Sequence, residues 1–225
     1  QVVARLENKV AIVTGAGSVG PGWGNGKATA VLFAREGAHV IAADREVWAA
    51  EETAKIIVDE GGHCTVVEVD VTNGDSVAKM TDAVLNAHGC IDVLHNNVGI
   101  TGELGGPVDI SEADWDQTFT VNVKSMYLTC NAILPVMLKA ESGSIVNVSS
   151  VAAIRYTGIP YASYAASKAA VLQFTQSIAL QYAAKGIRCN ALLPGLIDTP
   201  MVHAHLTEHY GSVGEMLDRR NSASP

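Results

Sequence analysis

The chain has 225 residues, 48% of them apolar and only 5% aromatic, with a formal net charge of −8. That length suits one domain with a sizeable core, and the acidity argues against a nucleic-acid partner, which needs a basic face to meet phosphate. No apolar run reaches the roughly 18 residues of a membrane helix, and Cys64, Cys90, Cys130 and Cys189 lie scattered without disulfide or metal spacing, so no membrane partner and a reducing, cytoplasmic setting are expected.

The N-terminus enters a strand within ten residues, so no signal peptide is expected. VAIVT at 10–14 is that strand. A stretch holding Gly15, Gly17, Gly20, Gly22, Gly24 and Gly26 follows, then a helix over about 27–36 that stops at Gly37. A second strand spans 39–43, and a helix from about 46 to 60 ends at Gly61-Gly62. The third strand is 64–69, and the helix 76–88 stops at Gly89. A fourth strand covers 92–95, and one long helix runs from near 111 to 139. The fifth strand is 144–148, the next helix 163–185 and the sixth strand 188–192. The strands are nearly continuous apolar runs, as parallel strands covered on both faces must be. Six of them with helical crossovers predict an α/β fold: a doubly wound, Rossmann-like parallel sheet in a single domain over 1–225. The region about 200–220 is expected to form a lid, and the polar tail 211–225 to lie disordered.

The glycine-rich stretch falls between the first strand and its helix. There it lets the backbone approach a pyrophosphate, whose charge the helix N-terminus stabilises. Gly15, Ser18, Asn25 and Gly26 are the candidate contacts, although a flexible surface loop would read the same way. Asp44 lies 18 residues after Gly26, at the end of the second strand. A carboxylate there accepts two hydrogen bonds from an adenine ribose, and it can also cap the next helix. It disfavours NADP, because two like charges about 4 Å apart repel by roughly 4 kcal/mol at an effective dielectric near 20. NAD is therefore the expected cofactor, with Arg45 softening the discrimination.

Tyr164 and Lys168 stand four apart, on one helix face. A nearby ammonium lowers a phenol from its usual pKa near 10, which suits a proton-transferring tyrosine. Alone, such a pair is an ordinary helix surface.

Here it is accompanied by VTGAG at 13–17, VDVT at 69–72, NNVG at 96–99, VNV around Asn122, IVNVSS at 145–150, YAASK at 164–168 and PGLIDTP at 194–200. With these segments in order, the chain resembles the short-chain dehydrogenase/reductase family along nearly its whole length. The resemblance implies NAD(H)-dependent interconversion of a secondary alcohol and a ketone, acting on a small carbonyl or alcohol substrate. It implies Tyr164 as general acid/base, Ser150 on the substrate oxygen, Lys168 on the phenol and the nicotinamide ribose, and Asn122 holding a relay water. Asp70 and Val71 would contact adenine, Asn96 the adenosine side, and Ile197 and Thr199 the nicotinamide carboxamide. A homodimer or homotetramer is implied too, and the segments 115–138 and 165–182 carry more apolar positions than one sheet face requires.

The chain also departs from the family pattern. Eight residues separate Gly15 from Gly24, so residues 19–23 should bulge over the cofactor or towards the pocket. Ser150 lies 14 residues before Tyr164, one more than usual, which leaves Ser149 as a second choice. The sequence stops before the family's last strand and helix and reads as a fragment. Tyr161 and Lys168 have the spacing of enoyl reductases in the same superfamily, which opens a rival chemistry. A non-catalytic NAD-binding regulator and an inactive truncated module are further rivals. Val98, Ile100, Tyr161 and Met201 suggest a partly apolar pocket, while Arg155 and Tyr156 either touch substrate or cap a loop. His203, His205 and His209 read as part of a polar lid helix, with no metal expected.

Overall fold

In a computed structural model, which describes residues 4–223, the first strand is buried along its whole length and feeds two cores at once. Along β1 (Val10–Thr14), Val10 and Ile12 face one core while Ala11 and Val13 face the other, as a period of two dictates. β1, β2 (His39–Asp44), β3 (His63–Glu68), β4 (Val93–Asn96), β5 (Gly143–Val148) and β6 (Ile187–Leu192) form one sheet in the order β3-β2-β1-β4-β5-β6. Every adjacent pair is parallel. This is the doubly wound sheet expected from the sequence.

One face carries α1 (Asn25–Arg35) and α2 (Val47–Asp59), whose Ala30, Ala34 and Ala50 let the helices lie close on Val13, Val40 and Ala42. The other carries α3 (Gly74–His88), α5 (Ser125–Ala140) and α6 (Ala162–Tyr182), which bring Met80, Val84, Ile133, Met137 and Ile178 onto Ile12, Ile41, Leu94 and Ile145. Local chemistry sets the boundaries of α3: Asn73 caps its N-terminus by accepting from the Ser76 amide, and Gly89 ends it at φ 75°. Among the described residues no helix is long and apolar enough to cross a membrane.

Two expectations are corrected. The long helix after β4 is not uniform: α4 (Glu112–Phe119) passes into a π turn, Thr120–Lys124, before α5 begins. The Ser125 amide reaches back to the Thr120 carbonyl, and the Ser125 hydroxyl satisfies the Val121 carbonyl at 2.5 Å. The polar tail is not disordered through the described residues. After α7 (Pro200–Tyr210) it forms α8 (Val213–Ala223), pinned by a fully buried Met216 that packs with Ile159, Val202 and Leu206. Residues 224 and 225 lie outside the described residues.

Candidate active site

The strand order reverses between β1 and β4, and a crevice at such a switch point is where this architecture takes ligands. The carboxyl ends of the strands open there into a cavity of about 610 Å³.

One end is built by the glycine turn. Gly15 turns at φ +64°, and a Cβ on Gly26 would stand 1.8 Å from the Gly15 carbonyl oxygen, so the turn closes on α1 only with glycine. The Gly17 amide donates to Asp44 Oδ2 at 2.8 Å and the Glu46 amide to Oδ1 at 3.0 Å. Asp44 thus serves the start of α2 while keeping spare lone pairs in the cavity wall. Arg45 is tied to Glu46 at 3.5 Å. Asp70 accepts from both the hydroxyl (2.6 Å) and the amide (2.9 Å) of Thr72, which hold its carboxyl below the usual range. Gly15, Ser18, Asn25, Gly26, Asp44, Asp70 and Val71 all line this end. Ser18 Oγ is buried there without a hydrogen-bond partner. A tight glycine turn, an unpaired hydroxyl and a carboxylate held outward by amides fit the pyrophosphate and ribose of a dinucleotide.

The extra residues of the loop reach towards the far wall. Val19 and Trp23 are exposed, and Gly20 and Gly22 approach Pro200, the first residue of α7.

The other end gathers Ser150, Tyr164 and Lys168. Ser150 ends the β5 segment, and its Oγ accepts from the Ala152 amide at 3.2 Å. Ser149 instead donates its hydroxyl to the Lys168 carbonyl at 2.7 Å, which leaves Ser150 as the serine facing Tyr164. The Lys168 ammonium is buried and donates to the Val148 carbonyl at 2.9 Å. Burial lowers its pKa to about 8. Gly99 makes room for it, since a Cβ there would meet Lys168 Nζ at 3.0 Å and Asn122 Oδ1 at 3.2 Å. Tyr164 differs from the expectation of a lowered pKa. Burial raises it, the Ser150 hydroxyl draws it back, and neighbouring Tyr161 raises it again. The Tyr161 hydroxyl is hydrogen-bonded to Thr157, and its ring meets that of Tyr164 edge-on at 5.0 Å.

Two residues lie elsewhere than the resemblance implied. Asn96 is turned into the core, donating to Asn147 Oδ1 at 2.9 Å and accepting from Thr129 at 2.8 Å. Its neighbour Asn97 lines the cavity and donates to the Gly15 carbonyl at 3.1 Å. Asn122 sits in the π turn behind the wall. Its Nδ2 donates to the Ile100 carbonyl and Ser167 Oγ, both at 2.9 Å, and its Oδ1 accepts from the Ile100 amide at 2.8 Å. The side chain is a brace, so a relay water would fall to the backbone of the turn.

The roof is formed by Ile197, Thr199, Met201, Val202, Leu206 and Arg220, the last of these without a signal in the sequence. Val98, Ile100 and Tyr161 also line the cavity, whereas Arg155 and Tyr156 are exposed outside it. His203 pairs with Asp198 at 2.6 Å, and among the described residues no group of His, Cys, Asp and Glu is placed to hold a metal ion.

The sequence profile described as short chain dehydrogenase matches residues 9–209. The chain is 42% identical over 197 residues to a 3-oxoacyl-acyl-carrier-protein reductase, FabG, of Thermotoga maritima, covering 88% of this chain and 77% of that protein. It superposes at a TM-score of 0.92 on a short-chain dehydrogenase/reductase crystal structure from Burkholderia xenovorans, with 44% identity over 97% of this chain and 82% of the other. A 7α-hydroxysteroid dehydrogenase complexed with NADH and 7-oxo glycochenodeoxycholic acid matches at a TM-score of 0.82 and 33% identity, covering 90% and 76% of the two chains.

Proposed function

The chain belongs to the short-chain dehydrogenase family of oxidoreductases, and on that premise we propose that it interconverts a secondary alcohol and a ketone with NAD(H), Tyr164 acting as general acid/base. The observation that carries this reading is the meeting of Ser150, Tyr164 and Lys168 at one end of a cavity whose other end fits a dinucleotide.

The nicotinamide, when bound, supplies or accepts the hydride. Ser150 holds the substrate oxygen, and Tyr164 gives its proton to that oxygen in reduction and takes it back in oxidation. Two hydroxyls aimed at the atom where charge develops stabilise it where it forms. Lys168 is fixed to Val148, where it can serve ribose and phenol together. Asn122 positions the π turn against Ile100 and α6. The rival enoyl chemistry would need Tyr161 as donor, but its hydroxyl is engaged by Thr157, which favours a place in the pocket wall.

Asp44 and the Arg45–Glu46 pair favour NAD over NADP, since a 2′-phosphate would meet two carboxylates and an arginine already paired. The NADH complex of the hydroxysteroid dehydrogenase relative is in keeping with this. α7 and α8 are read as the lid over the substrate, and the four free thiols suit a cytoplasmic setting. Trp115 and Tyr127, exposed on α4 and α5, and Leu180, exposed on α6, support a homodimer or homotetramer; sedimentation as a monomer only at micromolar concentration would count against it. The function is tested by a carbonyl and alcohol screen that follows NADH absorbance. Turnover of ketones or secondary alcohols is expected, and turnover of conjugated double bonds alone would favour the rival.

A further inference from the structure

The cavity's charged groups fall into sets. Asp44, Arg45, Glu46 and Asp70 line the dinucleotide end, and Lys168 serves the reaction centre. Arg220, on α8, belongs to neither. It is 6% exposed and lines the cavity beside Ile159, Val202 and Leu206. Its Nη2 donates to the Ile197 carbonyl at 3.1 Å, and among the described residues no carboxylate stands within salt-bridge distance of it. A guanidinium has five N–H donors, and a buried charge met by one neutral acceptor is an uncompensated one. Arg220 lines the cavity together with Tyr161, whose ring packs on Tyr164. The guanidinium, without a carboxylate partner among the described residues, therefore shares the cavity with Tyr161 and Tyr164.

We infer that Arg220 anchors a carboxylate of the substrate, so that the enzyme acts on hydroxy and oxo acids whose reacting carbon and carboxylate are joined by a short apolar spacer. A planar fork matches the two oxygens of a carboxylate. Among the described residues lining this end, Arg220 is the cation left besides Lys168, which the Val148 carbonyl already engages; one such cation balances a monoanion and leaves a phosphate dianion half compensated. Val202, Leu206 and Ile159 exclude water around the pair and strengthen it. The inference rests on the oxidoreductase reading for the position of the reacting carbon. The competing account is that Arg220 only fastens α8 to the Ile197 loop.

The test uses the full chain with NADH and two matched pairs of probes, 3-oxobutanoate with its amide and 4-oxopentanoate with its amide. Binding is followed by thermal shift and calorimetry, and reduction by NADH absorbance. At least one acid should bind and react better than its amide by on the order of tenfold to a hundredfold in kcat/KM, mainly through KM. Arg220→Gln should erase that preference, and Arg220→Lys, a point charge without the fork, should keep part of it. Absence of acid binding, no preference in the wild type, a preference that survives Arg220→Gln, or an equal loss for acid and amide would each overturn the inference. Acids that bind through Arg220 but are never reduced would support the anchor and count against the oxidoreductase reading. Equal reduction of acids and amides would do the reverse.

Discussion

The Lys168 ammonium stands 5.7 Å from the centre of the Tyr164 ring and donates to the Val148 carbonyl, not to the phenol. Burial acts on both groups in opposite senses, raising Tyr164 and lowering Lys168 to about 8. Below that point the phenol is protonated and the ammonium charged, the form that reduces a ketone. Above it Lys168 has lost its charge while the phenol, raised by burial, stays protonated. Reduction should therefore fall through about pH 8, as the charge beside the phenol is lost. The pH profile of kcat/KM for reduction checks this; reduction that holds level up to about pH 10 would contradict it.

Asp44 holds the Gly17 turn and faces the cavity with the same carboxylate. Asp44→Ala should weaken NADH binding by on the order of tenfold or more and weaken NADPH binding less, so the gap between them narrows. Fluorescence titration of both reduced cofactors measures it. Equal or tighter NADPH binding by the unaltered protein would point to Arg45 as the dominant contact.

His95 is buried in β4 against Phe33, with both ring nitrogens unpaired, and burial alone lowers its pKa to about 4. Its folded value lies below its unfolded value near 6.5. The associated stability is thus complete above about pH 6.5 and is lost as pH falls towards about 4. The loss should reach on the order of 2 kcal/mol by about pH 5. Denaturant unfolding at neutral and acid pH measures it, and His95→Leu should flatten that part of the dependence. An unchanged slope in the variant would mean that other groups control acid stability.

The sheet was legible because strands covered on both faces are apolar throughout, as VAIVT and HVIAA show. The glycine turn, Asp44 and the Tyr164–Lys168 pair were legible from residue type and spacing together. α8 was not: in a polar stretch only Met216 and Leu217 mark its buried side, and their value depends on the distant Ile159 and Val202. Nor was the π turn, because TVNVK holds no glycine or proline to mark a break in the helix. The place of Asn96 follows from the strand it ends. Alternation along β4 puts Asn96 on the side of Leu94, towards α5, and frees Asn97 for the cavity. Arg220 carried no signal, since one of two adjacent arginines in a polar tail reads as surface.

The central claim is that Tyr164 moves the proton. Its ring packs against Tyr161 and its hydroxyl faces Ser150, so Tyr164→Phe removes one oxygen and little else. The decisive measurement is ketone reduction by Tyr164→Phe at saturating NADH, with NADH affinity measured separately. The account predicts nearly intact NADH binding and a rate lower by about 10²–10⁴-fold, while Tyr161→Phe changes mainly the Michaelis constant. Near-normal ketone reduction by Tyr164→Phe, or a larger rate loss in Tyr161→Phe, would contradict it.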